Sequence, residues 1–139
     1  MITRYQSRIS GPLLDRIDIH VTVPRVDYNK LMGTQRGESS AAIRERIEAA
    51  RVIQAERFAN YSGMYANADM GPGEIQEMCA IEKDARDLLQ ISVRKMQLSA
   101  RAYHRTLKLS RTIADLDAAP TIAVAHVAEA LQYRPRQPA

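Results

Sequence analysis

Residues 99–116 read SARAYHRTLKLSRTIADL. Ser99 offers the side-chain oxygen that a helix start needs, and the Ala118-Ala119-Pro120-Thr121 stretch ends the helical pattern. The spacing predicts a helix over Ala100–Leu116. Tyr103, Leu107, Ser110, Ile113 and Ala114 recur at helical intervals and form its buried side. Arg101, His104, Arg105, Lys108 and Arg111 gather on another side. Such a helix has one stripe to bury and needs other helices to bury it against.

Those partners are legible on both sides. Downstream, Val124–Leu131 is a short helix with Val127, Ala130 and Leu131 inward. Upstream, Glu82–Met96 places Ala85, Leu88, Leu89, Ser92 and Met96 on one face, and Pro72–Cys79 turns Ile75 and Met78 inward. A loop over 61–72 separates these from a long helix, Ser40–Asn60, whose stripe is Ile43, Ile47, Ala50, Gln54 and Phe58. The expected fold is mainly α, a bundle of four or five helices across residues 38–132.

The remaining residues read differently. The stretch IDIHVTV at 17–23 alternates strictly, with Ile17, Ile19, Val21 and Val23 on one side and Asp18, His20 and Thr22 on the other. A lone strand cannot satisfy its own backbone groups. Either it pairs with strands outside this sequence or it is extended and loose, and the chain reads as beginning inside a domain. A short helix is expected over Pro12–Arg16 before it, and a polar connector over 25–37 after it. Residues 133–139 form a basic, Pro-rich tail, expected to be flexible.

Composition agrees with a thin helical core. Of 139 residues, 45% are apolar but only 5% aromatic, and small alanines are abundant. One cysteine, Cys79, excludes an intrachain disulfide and a Cys-based zinc cluster. No apolar run reaches a membrane-spanning length and no signal peptide is visible, so the expected location is the cytoplasm, with no membrane partner. The net charge of +4 is mild and carried mostly by arginine, the side chain whose donor fork suits phosphate and carboxylate.

Catalysis within this stretch has no visible basis. There is no glycine-rich phosphate loop and no HExxH motif, and His20, His104 and His126 lie in separate elements. Two arginine features remain. The basic stripe of the 100–116 helix begins with Arg101 in the first turn, where unpaired N–H groups attract anions. The plain alternative is a solvated helix face. Arg16 stands between Asp15 and Asp18, either as a local ion pair or as an arginine projected into a neighbour's phosphate site.

Three stretches taken together resemble one family: RYQSRISGPLLDRIDIHVTVPRV, GESSAAIRERIEAARVIQAERF, and LSARAYHRTLKLSRTIADL followed by HVAEALQYR. The sequence resembles the C-terminal region of the bacterial magnesium-chelatase-like AAA+ ATPases, the YifB/ComM group, over about residues 4–134. The resemblance implies a core edge at 1–24, a linker at 25–37 and a helical lid at 38–132, with the 17–23 strand as the last of the core sheet. Walker A and B motifs are absent from this stretch, so the fragment alone is not expected to be catalytic or to hold a cofactor, whereas ATP and Mg2+ would be bound by the full-length parent.

The resemblance further implies that Arg16 is an arginine finger acting on a neighbouring subunit's ATP, with Arg8 as competitor. Arg101 would be the sensor-2 arginine reading the phosphates, with Arg105 beside it. Implied partners are the rest of the AAA+ core, neighbouring subunits of a homo-oligomeric ring, a hexamer, and DNA acted on by helicase or branch-migration activity. Two other readings stand beside this one. In the first, the arginines make only subunit contacts in an oligomerisation domain. In the second, the bundle is a small nucleic-acid-binding module, which the mild charge and scarce aromatics disfavour.

Overall fold

The computed structural model describes residues 16–25, Met32 and residues 37–134. Among the described residues five α-helices follow in order: α1 Ser40–Arg57, α2 Pro72–Met78, α3 Lys83–Met96, α4 Ala100–Leu116 and α5 Val124–Gln132. A 3-10 turn, Asn67–Asp69, interrupts the loop between α1 and α2. The expected helical architecture is therefore the observed one.

Local chemistry sets these boundaries. Ser39 caps α1 and Ser99 caps α4, each side-chain oxygen accepting the N–H three residues on, at Ala42 and Ala102. At α2 the Glu74 carboxylate accepts the Gly71 N–H at 2.8 Å. A Cβ on Gly71 would fall 2.8 Å from that same oxygen, so any larger residue here would shift the Glu74 carboxylate. His126 caps α5 by accepting the Ala123 N–H on Nδ1 at 3.0 Å, which leaves Nε2 as the donor toward Asp117 at 3.2 Å. The C-terminal end of α4 closes with Ala118 in the left-handed region at φ 50°. There the Ala119 N–H reaches back to Ala114 O and the Ala118 N–H to Asp115 O, the paired bonds of a Schellman motif.

Helix α4 is the axis of the bundle and packs against α1, α2, the 3-10 turn and α5, while α3 packs on α5. The core joins Phe58, Met70, Ile75, Cys79, Ala85, Leu89, Leu107, Ala114, Ile122 and Val127. Alanine dominates the closest approaches, with Ala85, Ala114 and Ala130 fully buried. Two loops are tied across the bundle by an isolated parallel bridge between Ile81 and Ile122, carried by Glu82 N–H to Ile122 O and Ile122 N–H to Ala80 O.

The structure departs from some of these expectations. The stripe of α1 is buried only in its second half, at Ala50, Gln54 and Phe58, while Ile43 and Ile47 are exposed. Residues 43–49 of that helix are all exposed. The alternating stretch 17–23 is not part of a strand among the described residues and runs as irregular, mostly exposed chain. No second strand lies among the described residues, and strands outside this sequence are not part of this structure. The expected short helix lies largely, and Arg8 wholly, outside the described residues. Arg134, from the tail, is buried.

Candidate functional site

The basic stripe of α4 is not one surface. At its C-terminal end Arg111 is only 2% exposed, contrary to its expected place on the solvated or phosphate-facing side. Its Nε donates to Asp115 Oδ1 at 3.0 Å, one turn on, and its two terminal nitrogens donate to Ala119 O and Pro120 O. Arg111 therefore wraps the end of its own helix, where unpaired carbonyls favour a cation.

Asp115 is the centre of this network. Fully buried at its side chain, it also receives both terminal nitrogens of Arg57 from α1 and the amide of Asn67 from the 3-10 turn. Asn67 is in turn bound by Thr112 and Gln54, its side-chain nitrogen donating to Thr112 and its backbone N–H to Gln54. Burial pushes the Asp115 carboxyl up, but the bonds from Arg57 and Asn67 and the two guanidinium charges outweigh it, and the group sits below the usual carboxylate range. The bond to Asp115 correspondingly raises Arg57. This network joins α1, the 3-10 turn and α4 in the bundle interior. Such a group is expensive to disturb.

Further along the stripe, Lys108 donates to Ala68 O at 2.7 Å. Arg105 Nη1 lies 3.1 Å from Asp18 Oδ1, close enough for an ion pair although not aligned as a hydrogen bond. His104 rests beside Tyr103 with ring centres 5.6 Å apart. Arg101, in the first turn, is exposed and makes no hydrogen bond or ion pair among the described residues. Arg16 is likewise exposed, and Asp18, its expected local partner, is engaged by Arg105 instead. Of Arg16, Arg101 and Arg105, the first two are therefore free of polar contacts among the described residues. The third is tied to the segment just after Arg16.

Other candidates fall away on geometry. The Cys79 thiol is buried and pushed up to about 11 by that burial, so it is protonated and unreactive at neutral pH. Among the described residues no group of three His, Cys, Asp or Glu side chains is placed to hold a metal ion, so none is assigned to Mg2+. No described helix is long and apolar enough to cross a membrane. Sequence reasoning missed Arg57, Asn67 and Asp115. The i,i+4 spacing of Arg111 and Asp115 was the one local signal available.

Comparison with known proteins relates this sequence to one family. Residues 37–134 match the family described as magnesium chelatase, subunit ChlI C-terminal, and residues 1–31 match magnesium chelatase, subunit ChlI. The chain belongs to the magnesium chelatase ChlI C-terminal family. It is 43% identical over 134 residues to competence protein ComM of Haemophilus influenzae, covering 96% of this chain and 25% of that protein. It is 38% identical over 132 residues to the uncharacterized protein YifB of Escherichia coli (strain K12), covering 94% and 25%. An uncharacterized protein of Mycobacterium tuberculosis (strain ATCC 25618 / H37Rv) is 30% identical over 131 residues, covering 94% and 26%. The chain spans about a quarter of the length of these curated relatives.

Proposed function

We propose that residues 38–132 are the helical lid of a chelatase-like AAA+ ATPase and that residues 1–24 are the edge of its core. In this reading Arg101 is a sensor-2 arginine on the phosphates of ATP bound, with Mg2+, by the core that precedes this stretch. Arg16 is an arginine finger offered to the neighbouring subunit of a homo-oligomeric ring. The observation that carries the reading is the uncommitted guanidinium of Arg101, in a family member, on a helix whose other stripe arginines are engaged.

The chemistry is one of charge. ATP hydrolysis builds negative charge on the transferring phosphoryl oxygens, and a fixed guanidinium stabilises that charge without reorganising. The lid supplies the arginine, and its rigid core carries a change at the phosphates into a movement of the whole bundle. DNA remodelling of the helicase or branch-migration type is the work proposed for the ring. The similarity to a protein named for competence supports this choice.

The test compares this 139-residue chain with the longer protein that contains it. The chain alone is expected to hydrolyse no ATP, and the longer protein to hydrolyse it and to drive branch migration of DNA. Hydrolysis by the isolated chain refutes the lid reading. ATP hydrolysis without any action on DNA refutes the DNA role alone.

A further inference from the structure

The segment just after Arg16 touches the bundle through Asp18 and His20. Asp18 lies against Arg105 of α4, with Oδ1 3.1 Å from Nη1. The His20 N–H donates to Tyr133 O, just beyond α5, at 2.9 Å, and His20 Nε2 is closed off from solvent. The opposite row, Ile17, Ile19, Val21 and Val23, is exposed, from 41% at Ile17 to 83% at Val23. Hydrophobic burial alone would turn this segment the other way. Two specific polar contacts join it to the bundle, and its apolar row is left exposed.

We propose that the Asp18–Arg105 ion pair, with the His20–Tyr133 bond beside it, is a latch between the Arg16 segment and the helix that carries Arg101. Arg16 lies two residues before Asp18, and Arg101 one helical turn before Arg105. The latch thus links the arginine directed to the neighbour's ATP with the one directed to the subunit's own, through two short stretches of chain. Asp18 and Arg105 act as positioning residues. This rests on the ATPase reading above and adds to it a defined route of coupling.

The strength of the pair suits a joint. Asp18 is 59% exposed at its side chain and Arg105 23%, and the N–H is not aimed at the oxygen. A partly solvated pair of this kind shifts an equilibrium by only about twofold to fivefold. A fully buried pair such as Arg111–Asp115 would lock the segment, whereas this one opens and closes.

Two measurements test the latch. In the 139-residue chain, amide hydrogen exchange at His20 reads the docked segment directly. Asp18→Asn should lower its protection about twofold to fivefold, and Asp18→Glu should restore most of it. Arg105→Gln should act like Asp18→Asn, and the double variant should be no worse than either single one. Unchanged protection in both single variants overturns the latch.

In the longer protein, Asp18→Asn should lower kcat for ATP hydrolysis with little change in KM, and Asp18→Glu should recover it. An unchanged kcat, with His20 protection lost, overturns the positioning role. A wild-type longer protein that hydrolyses no ATP overturns the ATPase reading and the positioning role with it, while the exchange result still decides whether the segment is latched.

Discussion

The two ends of α4 carry the same residue type to opposite purposes. At the C-terminal end Arg111 is buried, and its donors are taken by Asp115 and by the carbonyls of Ala119 and Pro120. At the N-terminal end Arg101 is exposed and engages nothing described. Between them, Arg105 is held by one imperfect ion pair and Lys108 by one carbonyl. A helical wheel treats these side chains as neighbours, but the polar contacts from α1 and the 3-10 turn fall on Lys108, Thr112 and Asp115, in the later turns. An arginine's role is thus set less by the face it occupies than by how far along the helix its neighbours reach.

The largest effect is expected where that contrast is deepest. Asp115→Asn leaves the Arg57 and Arg111 charges without their carboxylate and should destabilise the bundle by about 3–5 kcal/mol, read by urea unfolding. The same variant should alter the acid limb. Because the folded carboxyl lies below its ordinary range, its contribution is present above the unfolded value and lost as pH falls through the folded one. Wild-type stability should therefore hold from neutral pH down to about 4 and fall below it, and this slope should be shallower in Asp115→Asn.

Smaller effects come from the helix ends. Ser99→Ala removes the acceptor for the Ala102 N–H and should cost about 1 kcal/mol. Ala118→Gly relieves a left-handed alanine and should raise stability by up to about 1 kcal/mol. Arg101→Ala should move stability by less than about 0.5 kcal/mol, since the side chain is exposed and without partners among the described residues. A large loss in that last variant would erase the distinction between the two ends. Outside the helix, Cys79 should react with a thiol reagent only at the rate of unfolding, followed by mass spectrometry.

The helices were legible because periodic apolar spacing and caps are local signals. Ser99, Pro72 and the Ala85–Leu89 spacing place α4, α2 and α3 without knowledge of the whole fold. The buried network was not legible, because Arg57, Asn67 and Asp115 come from three elements and meet only after packing. Charged types in a sequence read as surface by default, and here two arginines and an aspartate are drawn inside by one another. Ile43 and Ile47 show the converse. Periodicity marks a stripe but says nothing of whether a partner lies within the same stretch of chain. The Asp18–Arg105 contact joins residues far apart in sequence and carried no pattern at all.

The central claim is that Arg101 serves the nucleotide and not the fold. Its most direct test is the rate of ATP hydrolysis by the longer protein carrying Arg101→Ala, measured beside an unfolding curve of the same variant. The account predicts a loss of about tenfold or more in rate with stability unchanged. A wild-type rate in a fully folded variant would contradict it.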